Sequence, residues 1–405
     1  MIYFVSLSVF TGVTLSLVVL LLIVKNKLSP AGKNKIIINE DKSKSIEVSS
    51  GTNLLNALVN EGILLPSACG GGGTCGLCKL QVLEGGGEIL PTELGHITRS
   101  EKKDQVRLAC MMRVRDDLKI KIPDEIFNIS AYDAEVVSND NISTYIKELI
   151  LKVDDSQTFE FKEGTYIQIE VPPYENIKFS DFDIDDQYIE EWESEGLLNL
   201  TASSSEEVIR AYSIANAPYE KDVILTIRIA NPPEDKPDVM PGLGTSYLFT
   251  LKPGDKVRFT GPYGDFFVKD TDNEICFVGG GAGMAPMRCH ILHLLNTLDS
   301  KRKITFWYGA RSVREIFYED LFRDLEKKHD NFKFYIALSE PIESEKWDGM
   351  TGYIHQALYD NYIKQHNSPE DIEYYLCGPP IMVESVIKML INEGVEEDSI
   401  LFDAF

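Results

Sequence analysis

The amino-acid sequence predicts a multidomain protein of mixed α+β and α/β class: an apolar N-terminal helix, a small cysteine-bearing α+β domain, an antiparallel β-barrel and a parallel α/β domain. Three observations carry this expectation. Residues 2–24 hold no charge and are built almost entirely from Leu, Val, Ile, Phe and small residues. Three cysteines crowd into the glycine run Cys69-Gly70-Gly71-Gly72-Gly73-Thr74-Cys75-Gly76-Leu77-Cys78, and a fourth follows at Cys110. Near Asp270 the rhythm changes from short β-rich runs to apolar strand, glycine loop and long helix.

The opening segment is long enough to span a hydrocarbon core, since a helix rises about 1.5 Å per residue and the core is about 30 Å thick. No Lys or Arg precedes it, as a cleaved signal peptide would require, and Lys25, Lys27, Lys33 and Lys35 all follow it. Residues 2–24 therefore read as a single-pass transmembrane helix. The positive charge behind it keeps the remaining chain on the cytoplasmic side.

The cysteine loop is the sharpest chemical signal. Three thiolates in one short loop and a fourth returned by the fold are the full ligand set of a two-iron, two-sulfur cluster, which makes Cys69, Cys75, Cys78 and Cys110 the expected metal ligands. Glycine lets a backbone wrapped around sulfide take unusual dihedrals and aim its N–H groups inward. A structural zinc site is the competing reading, but it normally uses two knuckles of paired cysteines, and only Cys75 and Cys78 have that spacing. Around the loop, Lys35–Ile38 and Ser45–Val48 predict a hairpin, and Thr52 is the expected cap of a helix carrying Leu54, Leu55, Leu58 and Val59. On these motifs residues 33–128 resemble a β-grasp ferredoxin domain, and the gap between Cys69 and Cys75 is that of the adrenodoxin and bacterial variants.

After Ala131 the runs Glu148–Val153, Tyr166–Val171, Val223–Ile229 and Lys256–Phe259 alternate with turns, as in a small antiparallel barrel over 131–270. Inside it, Arg210-Ala211-Tyr212-Ser213 places Arg210 and Tyr212 on one side of a strand and Ser213 on the other. Together with Pro241-Gly242-Leu243-Gly244-Thr245-Ser246 and Gly261-Pro262-Tyr263-Gly264, in that order, this resembles the ferredoxin-NADP reductase superfamily. The resemblance implies FAD as cofactor. Arg210 and the Gly244, Thr245, Ser246 segment would hold its pyrophosphate, Tyr212 would lie against the flavin, Ser213 would approach flavin N5, and Ala211 would belong to the same cofactor-binding segment.

The last domain, 271–405, opens with the strand Ile275–Val278 running into Gly279-Gly280-Gly281-Ala282-Gly283-Met284, where backbone amides at a helix N-terminus suit a pyrophosphate. The segment Cys377-Gly378-Pro379 resembles the second nicotinamide-side loop of the same superfamily, which implies a role for Cys377 beside the hydride path. Cys276 and Cys289 fall in apolar settings and read as packing. Arg311, after the strand Phe306-Trp307-Tyr308-Gly309-Ala310, could bind a 2′-phosphate, stack on adenine or face solvent, so the residues leave NADH and NADPH open. The Gly-Ala-Arg run resembles the NADH-using branch. Phe405 would cover the flavin face by resemblance, or pack elsewhere as an ordinary terminal aromatic.

With 64 acidic against 40 basic residues, the chain has a formal charge of −24, which argues against a nucleic-acid partner. Much of the acidity lies in an insertion near 174–208, where Asp181, Asp183, Asp185, Asp186, Glu190, Glu191, Glu193 and Glu195 interleave with Phe182, Tyr188 and Trp192. It reads as a solvated face, with the aromatics permitting a docking surface for a protein partner. In domain order the chain resembles the electron-input subunits of bacterial sodium-translocating NADH:quinone reductases. That implies hydride transfer from NADH to FAD, single electrons through the cluster towards quinone, other subunits of a membrane-bound redox pump as partners, and the bacterial inner membrane as location. The alternatives are the reductase component of a multicomponent oxygenase, which shares the domain order, and a membrane-tethered carrier without turnover.

Overall fold

The computed structural model describes residues 10–18, 32–67, 69–233, 236 and 238–403. Residues 10–18 form a short helix, α1, with exposed side chains and a bond from the Thr14 hydroxyl to Phe10 O. The remainder of the predicted span 2–24 lies outside the described residues, and no helix among them is long and apolar enough to cross a membrane. The chain divides into two compact units, 1–129 and 130–405.

The first unit is a five-stranded sheet gripping one helix. Strands β1 (Lys33–Ile38) and β2 (Asp41–Ser49) form the predicted hairpin, turning through Asn39 and Glu40 with φ of 51° and 58°. Helix α2 (Leu54–Asn60) follows, then β3 (Lys79–Glu84), the short α3 (Arg99–Lys103), β4 (Val106–Leu108) and β5 (Leu118–Lys121), in sheet order β2-β1-β5-β3-β4. The cap of α2 is Asn53, whose side chain accepts from Asn56 N–H, and not Thr52, whose hydroxyl turns back to Ser49 O. Ile36, Ile38, Leu54, Leu58, Leu108 and Ile120 are fully buried between helix and sheet, directly under the cysteine loop.

The second unit begins with β6 (Ser130–Ser143), a long strand that the sequence pattern does not announce, followed by β7 (Ile146–Val153) and β8 (Tyr166–Val171). The acidic insertion then contributes β9 (Tyr174–Lys178), α4 (Asp186–Ser194) and β10 (Thr201–Ser204), before β11 (Val208–Ser213), β12 (Val223–Arg228), α5 (Leu243–Thr250) and β13 (Lys256–Tyr263). Six of these strands run β11-β8-β13-β6-β7-β12, and a bridge between Ile214 and Leu225 joins the two outer strands, closing the barrel. The insertion presents the expected solvated face, but its aromatics do not form the docking surface they permitted. Its aromatics turn inward: Phe179 and Trp192 are fully buried, with Phe182 and Tyr188 nearly so, in one core with Leu149, Ile169, Leu225 and Phe249. Its carboxylates face outward, except that of the half-buried Glu191.

The last segment is a parallel six-stranded sheet, β17-β16-β15-β14-β18-β19, built from β14 (Ile275–Gly280), α6 (Met284–Leu292), β15 (Ile304–Ala310), α7 (Glu319–Lys328), β16 (Phe332–Leu338), β17 (Met350–Thr351), α8 (Ile354–Asn361), β18 (Glu373–Cys377), α9 (Pro380–Asn392) and β19 (Ile400–Asp403). Every residue of β14 and β18 is buried, as expected of strands covered on both faces. Separate apolar clusters fill the two sides of the sheet. Cys276 and Cys289 are fully buried, and burial pushes each thiol up to about 12, in keeping with packing and not chemistry.

Candidate active site and cluster loop

The cysteine loop is shaped by glycine. Gly70, Gly71, Gly73 and Gly76 all have positive φ, and a Cβ on Gly73 would meet Met111 Sδ at 2.5 Å. The four thiols fall into two pairs. Cys75 Sγ donates to Cys69 Sγ at 3.3 Å, and Cys110 N–H points at Cys78 Sγ at 3.5 Å. Burial raises the Cys69 thiol, but the N–H groups of Cys75 and Thr74 outweigh it and draw the group down to about 6. The side chain of Cys110 likewise lowers Cys78, so each pair holds one thiol already inclined to ionise. Among the described residues no three His, Cys, Asp or Glu side chains surround a point where a single metal ion would sit. Two cysteines for each of two irons fit this pairing.

Behind the loop a buried ion pair fixes the strand that delivers Cys110. Arg107 Nη2 lies 2.7 Å from Glu93 Oε2, and Glu93 also accepts from the N–H of Leu108 and Leu90. Nothing in the sequence points to this pair, because neither partner belongs to a motif and their separation matches no helical or strand period.

In the second unit a cavity of about 870 Å³ opens between the barrel and the parallel sheet. Ala211, Tyr212 and Ser213 from the end of β11 line it from one side, and Gly280, Gly281, Ala282 and Gly283 from the other, with Gly378 and Pro379 after β18. Where the two loops meet, Gly283 and Gly378 have no room for a side chain. A Cβ on Gly283 would lie 2.1 Å from Cys377 O, and one on Gly378 would lie 2.8 Å from Gly280 O, so the two loops cross backbone to backbone. The Thr226 hydroxyl donates to Ala282 O, tying the barrel to the loop.

The expected site residues are gathered unequally. Arg210, Tyr212 and Gly244 converge, since a Cβ on Gly244 would meet Arg210 Cγ at 2.6 Å and Tyr212 Oη at 3.0 Å. Arg210 and Gly244–Ser246 nevertheless fall outside the lining of the cavity, beside Tyr212. Thr245 Oγ1 is occupied with Ala230 N–H and Gly242 O, whereas Ser246 Oγ is fully buried without a partner among the described residues. That orphaned hydroxyl and the glycine gap at the first turn of α5 fit a phosphate-bearing cofactor held there. Met284 and Cys377 are buried behind the cavity wall, and burial pushes the Cys377 thiol up. Phe405 lies outside the described residues.

Two features of the site escape the sequence. Ser213 Oγ donates to Asp403 Oδ2 at 3.1 Å, which brings an acid from β19 to the end of β11. Burial raises the Asp403 carboxyl from 3.8 to about 6, with Asp265 adding to the rise and Ser213 opposing it. Arg311 lines the cavity but is not free. Its Nη2 lies 2.9 Å from Glu191 Oε1 and 3.5 Å from Glu315 Oε1, and its guanidinium sits over the Tyr145 ring. An acidic run conceals which one of its carboxylates turns inward.

Fold and site together define an iron–sulfur flavoprotein reductase with a nicotinamide-binding domain. Residues 37–115 match the family of 2Fe-2S iron-sulfur cluster binding domains, 196–268 that of oxidoreductase FAD-binding domains, and 277–388 that of oxidoreductase NAD-binding domains. The chain belongs to the F-subunit family of the Na(+)-translocating NADH-quinone reductases. It is 50% identical to the members from Histophilus somni (strain 129Pt) and Serratia proteamaculans (strain 568), over 99% of this chain and 98% of each of theirs. Among solved structures it is similar to an Amycolatopsis cytochrome P450 reductase, with a TM-score of 0.64 and 23% identity over 92% of this chain and 98% of that one. The ferredoxin reductase of carbazole 1,9a-dioxygenase aligns with a TM-score of 0.60 and 25% identity over the same shares.

Proposed function

We propose that this chain is the electron-input subunit of a sodium-translocating NADH:quinone reductase, taking a hydride from NADH onto FAD and passing single electrons through a 2Fe-2S cluster towards quinone, with sodium export performed by partner subunits. One observation carries the reading: a single cavity is walled by the flavin-side strand end and by both glycine-bearing loops of the nicotinamide side, as two reactants in contact require. Bound FAD supplies the exchange between the two electrons of a hydride and the single electrons an iron–sulfur cluster accepts.

The protein's part is to bind, orient and exclude. Arg210 and the first turn of α5 would hold the cofactor's phosphates, where the buried Ser246 hydroxyl would gain a partner. Tyr212 would lie against the flavin, and Ser213, held by Asp403, would face its reacting edge. The crossing backbones of Gly280–Gly283 and Gly378–Pro379 admit the dinucleotide close to the sheet ends, and the buried Cys377 packs beneath them. Cys69 with Cys75, and Cys78 with Cys110, would each hold one iron of the cluster. Residues 2–24 anchor the chain in the bacterial inner membrane as a single span with the remainder in the cytoplasm, where NADH is available.

The domain order, and the likeness to the reductase of carbazole 1,9a-dioxygenase, also fit a reductase that feeds an oxygenase. Full-length identity of 50% to pump subunits favours the pump. NADH:quinone oxidoreduction in membranes with and without this chain, each with and without sodium, tests the choice. Sodium-stimulated activity that disappears with the chain is expected; activity that ignores sodium or survives deletion sends the electrons to another acceptor.

A further inference from the structure

Of the residues that line the cavity, three carry charge: Arg228, Arg311 and Glu315. The side chain of Arg228, at the end of β12, makes no hydrogen bond or ion pair with the described residues; it lies within the electrostatic reach of Arg311 and Glu315 and can meet a phosphate. Arg311 is held through one nitrogen. Glu191 and Glu315 share its Nη2, and the Tyr145 hydroxyl donates to the same Glu191 oxygen at 2.8 Å. The second oxygen of Glu191 lies 3.5 Å from Arg314 Nη1, whose Nε lies 3.3 Å from Glu345. Glu191 does not wander, because its neighbour Trp192 is fully buried and donates through Nε1 to Thr144 O at 2.7 Å. The Thr144 hydroxyl in turn bonds Glu315.

We propose that Glu191, a residue of the insertion in the barrel, sets the preference for NADH over NADPH by keeping Arg311 occupied. The inference rests on reading the cavity as the nicotinamide dinucleotide site. NADH brings one pyrophosphate, which the glycine loop and Arg228 can serve. NADPH brings a further phosphate monoester with about two negative charges, which needs a second guanidinium fork to be bound well. The other arginine of the lining already has its Nη2 held by two carboxylates, and those carboxylates repel the incoming phosphate. A repulsive element of this kind discriminates against the wrong ligand without touching the right one. The Arg311–Glu191 pair is partly exposed, at 46% and 22%, so its contribution to folding is small. What it changes is the charge the cavity presents. Glu191 is thus a positioning residue, acting through Arg311.

The test uses the full-length, FAD-loaded chain as wild type, Glu191→Gln, and Glu191→Gln combined with Arg311→Gln. Two readouts apply: binding of 2′,5′-ADP against 5′-ADP by calorimetry, and the ratio of kcat/KM for NADPH to that for NADH with ferricyanide as acceptor. Releasing one charged donor to a phosphate predicts that Glu191→Gln binds 2′,5′-ADP about tenfold or more tighter and raises the NADPH/NADH ratio by a similar factor. The added Arg311→Gln returns both to the wild-type level. A Glu191→Gln protein that loses both nucleotides equally, with the ratio unmoved, shows a structural role and overturns the proposal, as does a gain that survives Arg311→Gln. Should Glu191→Gln fail to fold, Glu315→Gln releases Arg311 from the other side without disturbing the insertion, and the same ratio decides. Wild-type protein that neither binds 5′-ADP nor oxidises either nucleotide overturns the reading of the cavity itself, and the proposal with it.

Discussion

Glu93 has no exposed surface, and every neighbour it meets is a donor: Arg107 through Nε and Nη2, and the backbone N–H groups of Leu90 and Leu108. Removing one member of such a pair leaves a buried charge without compensation, at a cost of about 3–5 kcal/mol. Arg107→Ala is expected to lose about that much stability. It should also lower cluster content, because Leu108 leads directly to Cys110; denaturant titration and the visible absorbance of the cluster measure the two effects. At the other site, Asp403 gives a pH dependence whose sign follows from burial. Its folded carboxyl titrates near 6 against 3.8 unfolded, so below about pH 4 both states hold the proton and the shift has no effect on stability. As pH rises from 4 to 6, the unfolded chain releases a proton that the folded chain retains, and stability falls. Relative to Asp403→Asn, the wild type is expected to lose about 1–3 kcal/mol between pH 4 and 7. A difference that stays flat across that range would remove Asp403 from the buried acids.

At the scale of elements, the insertion is where sequence and fold part most clearly. Phe182, Tyr188 and Trp192 alternate with carboxylates around a helix of only 9 residues, too short for periodicity to say which face is buried. In the fold all three turn into the barrel core. Trp192→Ala is expected to cost about 3–5 kcal/mol, with the loss visible in the thermal unfolding of the flavin-bearing unit. Strands with strong alternation or continuous apolar character, Tyr166–Val171 above all, are legible to the residue. The cap of α2 falls one position from its expected place because Thr and Asn are near-equal caps, and only tertiary contact decides between them. In the candidate site, contiguous motifs such as Cys69–Cys78 and Gly280–Gly283 can be read, since a loop carries its own geometry. Pairings such as Ser213 with Asp403, separated by 190 residues, leave no spacing to read. A sharper test of the flavin side is Gly244→Ala, whose new Cβ collides with Arg210 Cγ. It should lower FAD retention on gel filtration with the far-UV circular dichroism unchanged.

Across the whole molecule the two units keep separate cores. Among the described residues, the cluster around Ile36, Leu58 and Ile120 includes nothing beyond Phe127, and the barrel and sheet clusters include nothing before Ser130. Cys75→Ser is therefore expected to abolish cluster absorbance and quinone reduction while the chain retains FAD and reduces ferricyanide with NADH; loss of flavin as well would show that the units fold as one. That independence bears on a cell short of iron. Chains made under such conditions would still build the flavin unit and still accept hydride, but with no cluster to drain them. Dissolved oxygen, which reduced flavin can meet wherever the cavity is open, would then become the nearest acceptor, and an unfinished respiratory protein would turn into a source of peroxide.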